Sequence, residues 1–311
     1  MFYCPFRFLL AAGLIHLSIT TTATEAGEAA LRRHVAQLTS AKGYRNYKDT
    51  LALNRTAAYI YNEFSAVTKE TYTQDFAARG ARYRNVYASF GPANAPRIII
   101  GAHYDVCGDQ PGADDNASGV AALLELARMF AETDKSKWEM RVDLVAYSLE
   151  EPPYFGTQDM GSSVHATALY NNKTPVVGMV SLEMIGYFSD EGGSQRYPLG
   201  IMKLFYGSRG DYITVVRKWG CGRFVRLFTR KFRHAGGVET KVFKGPKWIP
   251  GVDFSDHRNY WTYGWPALMV TDGAFYRNKN YHTVDDKPET LDYLRMSSVV
   301  TKVYKAIVDI M

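Results

Sequence analysis

The chain has 311 residues, 46% hydrophobic and 22% charged, with a formal net charge of +6. That length allows a sizeable buried core in one large or two ordinary domains, and the composition excludes a disordered chain or a coiled coil. The positive balance is mild and diffuse, which argues against nucleic acid as a partner.

The N-terminus reads "MFYCPFRFLLAAGLIHLSITTTATEAGEAA". Arg7 gives a positive flank, residues 8–19 are apolar, and Thr21, Thr22 and Ala23 offer a small-residue cleavage site. Residues 1–23 are therefore expected to be a secretory signal peptide. The apolar stretch is too short for the roughly 20 residues of a membrane span. The mature chain is expected to be exported, periplasmic or secreted, with no membrane span after signal removal. Cys4 would leave with the leader, and Cys107 and Cys221 could then pair or remain thiols.

Residues 27–75 read as helices from apolar spacings of three and four. "RYRNVYASF" (82–90) alternates like a strand, and "RIIIGAHYD" (97–105) is a continuous apolar run suited to a buried central strand. "ASGVAALLELARMFAET" (117–133) predicts a helix, "WEMRVDLVAYSLEE" (138–151) a strand, "MGSSVHATALYN" (160–171) a helix and "TPVVGMVSLEMIGYF" (174–188) a strand. "GDYITVVRKWGCGRF" (210–224) is read as a helix ending at glycine, "WPALMVTDG" (265–273) as a late strand and residues 290–311 as the closing helix. Alternating strands and helices imply an α/β fold. The expected form is a three-layer αβα sandwich with a mostly parallel, mixed central sheet, built as one domain over residues 27–311. Residues 217–248, rich in Arg, Lys and aromatics, read as a solvated basic face over core aromatics rather than a lid for acidic substrates.

Ligands in such sheets gather at the carboxyl ends of the strands. His103 and Asp105 end one predicted strand, Glu150 and Glu151 the next, Glu183 a third, and His282 follows the late strand. Asp115 stands at a helix start. Singly, these are a helix cap, a solvated loop and ordinary histidines. Together, two His and several carboxylates at one sheet edge form a ligand set that suits zinc. His16, His34, His165 and His234 lack that context and read as surface or core residues.

"GAHYD", "PGADDNASG", "SLEEPPYFGTQDMGS", "SLEMIG", "SDHRNYWTYGWPALMVTDG" and "YHTVDD", in this order, resemble the zinc exopeptidases of metallopeptidase family twenty-eight, typified by bacterial leucyl aminopeptidases. The resemblance covers about residues 30–311. It implies a phosphorylase/hydrolase-like zinc peptidase fold, with residues 27–311 as the catalytic domain, acting as a monomer on peptide substrates. It implies two Zn²⁺, one held by His103 and Glu183, the other by Glu151 and His282, with Asp115 bridging. A metal-bridged hydroxide would attack the peptide bond, with Glu150 as general base and Asp105 orienting His103. Asp256 and Asp286 look like supporting carboxylates and His257 a structural residue. A cis peptide is implied after Asp115.

The chain departs from the family pattern in places. Glu183 stands where Asp is usual. Cys107, four residues after His103, is a possible competing ligand, although the set is complete without it. Two prolines follow the Glu pair. The competing functions are a glutaminyl-cyclase-like acyltransferase with one zinc, and a carboxypeptidase or dipeptidase of the same fold. A non-catalytic binding domain is disfavoured because every ligand position is filled.

Overall fold

The computed structural model describes Met1, residues 26–40 and residues 42–311. Apart from Met1, the expected leader at residues 1–23 lies outside the described residues. None of the described helices is long and apolar enough to cross a membrane.

Two helices, α1 (Glu28–Thr39) and α2 (Thr50–Val67), lead into a hairpin of β1 (Thr71–Ala78) and β2 (Ala81–Phe90). Asp49 caps α2 by accepting a hydrogen bond from the Ala52 amide at 2.9 Å. Then follow β3 (Arg97–His103), α3 (Gly119–Glu132), β4 (Arg141–Tyr147), α4 (Gly161–Asn171) and β5 (Val176–Leu182). The second half contains α5 (Met202–Tyr206), β6 (Tyr212–Lys218), α6 (Gly222–His234), β7 (Glu239–Gly245), α7 (His257–Thr262), β8 (Ala267–Thr271) and α8 (Tyr293–Val308).

The strands form one mixed sheet in the order β1-β2-β4-β3-β5-β8-β6-β7. Its centre, β4-β3-β5-β8, is parallel. β1 and β2 run antiparallel on one side, and β6 is antiparallel to β8 on the other. Every residue of β4 is buried, as expected for a strand covered on both faces. Helices α1, α2, α3, α6 and α8 pack on one face over the larger core, while α4 and α7 cover the other with a second cluster around Tyr147, Met179 and Tyr260. This is the expected three-layer sandwich.

Two stretches depart from the sequence reading. Residues 71–75 belong to β1 rather than to a helix. The helix read over residues 210–224 is instead β6 followed by the start of α6. Ile213, Thr214, Val215 and Val216 are consecutive β-branched residues, stiff at χ1 and better suited to a pleated strand, and the gap beside β8 supplied the pairing. In the basic region, α6 buries Phe224, Val225, Phe228 and Phe232 while Arg223, Arg226, Arg230 and Arg233 face solvent. That is the solvated basic face over core aromatics.

Candidate metal centre and active site

The parallel strands β3, β4, β5 and β8 all deliver their carboxyl ends to one edge of the sheet. His103 is the last residue of β3, and Glu150, Glu151 and Glu183 lie one to four residues beyond β4 and β5. A kinked helical turn, Ala113–Ser118, brings Asp115 to the same place before α3 begins. Gly119 lets this happen: a Cβ there would stand 2.7 Å from the Leu182 carbonyl oxygen, so only glycine lets α3 start against β5. The Asp115–Asn116 peptide is cis.

The side chains meet as two half-sites joined by Asp115. His103 Nε2 lies 3.3 Å from Asp115 Oδ1 and 3.5 Å from Glu183 Oε1. His282 Nε2 lies 3.1 Å from Asp115 Oδ2 and 3.2 Å from Glu151 Oε2. Glu150 Oε2 approaches His103 Nε2 at 3.9 Å. His282 is partly exposed, and the other five are buried.

Asp105 does more than steady a ring. Its Oδ1 accepts from the Glu150 amide and its Oδ2 from the Glu151 amide, both at 3.1 Å, so one carboxylate fixes the adjacent glutamates. The His103 Nδ1 lies 3.1 Å from the Asp105 carbonyl oxygen and 3.5 Å from Oδ1. Orientation of the imidazole is therefore shared between carbonyl and carboxylate. Asp286 accepts from the Asp114 and Asp115 amides at 2.9 and 3.0 Å. Asp256 is fully buried at the start of α7. His257 contacts the Val252 carbonyl at 2.9 Å in the core. His34 and His165 are buried beside Tyr59 and Tyr260 hydroxyls, and His234 is exposed.

Asp114 and Asn116, on either side of Asp115, are buried clamps. Asp114 accepts from the Gly186 amide at 3.0 Å and the Asn278 side chain at 2.8 Å. Asn116 Oδ1 accepts from the Met184 amide at 3.1 Å. Other supporting residues had no sequence signal. The Ser255 hydroxyl donates to Glu183 Oε2 at 2.7 Å, which turns Oε1 of this longer side chain toward His103. Buried Arg45 donates to the Pro111 and Gly112 carbonyls and so holds the loop before Asp115. Tyr281 stacks on His282 with centroids 3.7 Å apart. Each is a single residue in an irregular segment, outside any periodic pattern.

Leu149, Met184 and His282 adopt left-handed backbone conformations, with φ of 60°, 50° and 57°. Such conformations are uncommon for large side chains and concentrate at functional sites. Here they aim Glu150, Glu183 and the His282 ring.

Taken as bare side chains, the cluster is electrostatically unbalanced. Burial pushes the Glu150 carboxyl well up, His103 opposes this, and neighbouring Glu183 and Glu151 add to it. Burial, then Asp115, lifts Glu151 to about 8. Burial would lower His282, but the adjacent carboxylates of Asp115 and Glu151 carry it up to about 10. His103 likewise rises well above its usual value against its burial, through Glu183, Glu150, Asp105 and Asp115. Burial raises Asp256 and Asp286 to about 7. His103 Nε2, Asp115 Oδ1, Glu151 Oε1 and His282 Nε2 are buried without a hydrogen-bond partner among the described residues. Buried polar atoms of this kind are normally satisfied. An excess of oxygen donors around two imidazole nitrogens, with orphaned atoms turned inward, fits divalent zinc. His103, Asp115 and Glu183 offer ligand atoms within 4.8 Å of one another. Cys107 is not on that side: its sulfur groups with Glu151 and His282 within the same limit. Cys107 and Cys221 are unpaired.

Beside Glu183 opens a cleft. Met202, Tyr206, Phe243, Phe254, Met269 and Tyr281 give it a mainly apolar wall.

Residues 85–307 match the sequence model of Peptidase family M28. The chain belongs to this family. Membership of Peptidase family M28 supports a hydrolase. The uncharacterized protein YfbL of Escherichia coli K12 is 42% identical over 291 residues, 91% of this chain and 88% of that protein. Leucine aminopeptidase 1 of Aspergillus fumigatus is 26% identical over 270 residues, 81% of this chain but 63% of that enzyme's length. The LapA aminopeptidase of Legionella pneumophila shares the fold with a TM-score of 0.72 at 20% identity, over 97% of this chain and 77% of LapA. So does the glutaminyl cyclase of Porphyromonas gingivalis, with a TM-score of 0.69 at 17% identity, over 92% of this chain and 99% of the cyclase.

Proposed function

We propose that the protein is an exported dizinc aminopeptidase that hydrolyses the N-terminal residue from peptides. The observation that carries this reading is the split of the Asp115 carboxylate, one oxygen toward His103 and the other toward His282. A single carboxylate facing two separate His/Glu sets is suited to two cations. His103 and Glu183 would hold one, Glu151 and His282 the other. When bound, the zinc pair would supply Lewis-acid polarisation of the scissile carbonyl and lower the pKa of a shared water.

The remaining steps belong to the protein. Glu150 takes the proton of the attacking water and later delivers it to the leaving amine. Its burial favours the protonated form, which suits the second half of that task. Asp105, bonded to both glutamate amides, keeps Glu150 free for proton transfer while Glu151 stays with His282. The apolar cleft beside Glu183 would take the side chain of the N-terminal residue, which favours large apolar residues. Export follows from the leader read in residues 1–23, and the similarity to leucine aminopeptidase 1 supports the substrate class.

The test is metal content per chain together with a panel of aminoacyl, dipeptide and N-blocked substrates, with and without chelator. The expected result is two zinc ions, chelator-sensitive release of apolar N-terminal residues and no turnover of N-blocked substrates. One zinc with cyclisation of N-terminal Gln would overturn the reading in favour of an acyltransferase. Release of C-terminal residues would make it a carboxypeptidase.

A further inference from the structure

The loop after β3 carries a thiol that the proposed chemistry does not use. Cys107 is half-buried, and its sulfur, a Glu151 carboxylate oxygen and a His282 ring nitrogen all lie within 4.8 Å of one another. Glu151 is 5% exposed, and its Oε1 has no hydrogen-bond partner among the described residues; nor does His282 Nε2. The thiol's position is also fixed from both sides. The Val106 amide donates to the Arg45 carbonyl at 3.1 Å, and the Asn46 side chain donates to the Gly108 carbonyl at 2.7 Å. The backbone flanking Cys107 is thus held before any ligand arrives.

We propose that Cys107 is an additional protein ligand to the metal ion held by Asp115, Glu151 and His282. This rests on the dizinc reading above. Sulfur, imidazole and carboxylate are all ordinary zinc donors, and soft thiolate favours zinc over hard cations such as magnesium. As the sulfur–metal bond forms, the S–H bond breaks and its proton passes to solvent. The two ions then differ in kind. Asp115, Glu151, His282 and Cys107 would give the ion on the His282 side four protein donors, with the shared water as a fifth, a coordination number zinc can reach. The His103 side would have three protein donors, His103, Asp115 and Glu183, beside the same shared water. Cys221, buried at the start of α6, is unpaired and contributes to neither set.

The test loads the metal-free full chain with Co²⁺ and compares it with Cys107→Ser. The wild type should show a near-ultraviolet thiolate-to-cobalt charge-transfer band beside the visible bands of bound cobalt. The variant should keep the visible bands and lose the near-ultraviolet one. On the wild-type protein alone, zinc should slow alkylation of Cys107 by iodoacetamide at least about tenfold, read by peptide mass, because a metal-bound thiolate is a poor nucleophile. Visible cobalt bands without charge transfer, and alkylation of Cys107 indifferent to zinc, would overturn this inference and leave the dizinc reading standing. No bound cobalt at all would overturn both.

Discussion

The ends of β3, β4 and β5 and the segment from β6 to β7 are built on opposite logic. At the first, nearly every polar side chain is buried, and the supporting ones have designated neighbours: Asp105 with the Glu150 and Glu151 amides, Asp286 with Asp114 and Asp115, Ser255 with Glu183. At the second, polarity is turned outward. The arginines of α6 face water while Phe224, Phe228 and Phe232 fill the core. Buried charge demands compensation and so constrains residue identity, whereas solvated charge does not. The first region should therefore respond to substitutions in chemistry, and the second in packing, of the core under α6 or of the cleft wall on β6.

Metal removal should produce the largest effect. Chelation should abolish turnover and lower the melting temperature, with zinc restoring both; zinc at about 100 times its dissociation constant stabilises by about 2.7 kcal/mol. That increment should grow from about pH 6 to about pH 8. In the bare cluster His282 is held up to about 10 against 6.5, and Glu151 up to about 8 against 4.5. The metal-free fold therefore retains protons that the unfolded chain releases, and its stability falls as pH rises through those values. Zinc displaces the same protons and binds more easily as they leave. A zinc increment that shrinks with pH would contradict this assignment.

Glu150→Gln should lower kcat about 10²- to 10⁴-fold with zinc content unchanged. Retained turnover would remove Glu150 from the role of base, and lost zinc would make it a ligand. In the other region, Phe228→Ala should destabilise by about 3–5 kcal/mol, measured by denaturant unfolding, because its ring is fully buried between α6 and the sheet. Thr214→Phe places a ring in the cleft from β6. It should shift the ratio of kcat/KM for leucyl over alanyl substrates downward by about 10- to 200-fold, the range for a pocket contact of this kind. An unchanged ratio would place the side-chain pocket elsewhere. The smallest effect should come from Arg230→Glu, within about 0.5 kcal/mol of wild-type stability and with unchanged kcat/KM. A large loss of activity there would restore the reading of the basic face as a substrate-attracting rim.

The core of the candidate site was legible because its residues close strands. A continuous apolar run ending in "HYD" or "LEE" places its last residues at the sheet edge whatever the details of packing, so His103, Asp105, Glu150, Glu151 and Glu183 could be grouped before any coordinates. His282 was readable from its position after the last strand. Arg45, Ser255, Asn278 and Tyr281 were not, since each acts from a loop through one contact made across the fold. The helix read over residues 210–224 failed for a related reason. An isolated apolar segment with a glycine end suits either structure, and β6 exists because β8 offers it an open edge.

By itself, the order of apolar runs and polar strand ends determined the layered architecture, the edge at which function resides and the residue types gathered there. These follow from local periodicity and from the rule that parallel strands share a carboxyl edge. Tertiary structure alone decided the finer matters. It divided the Asp115 carboxylate between two imidazoles, gave Asp105 the task of holding two glutamates, and set Cys107 beside His282 rather than beside His103. Such outcomes depend on loop paths and on which buried donor meets which acceptor. Those are relations between residues far apart in the chain, and local pattern carries no information about them.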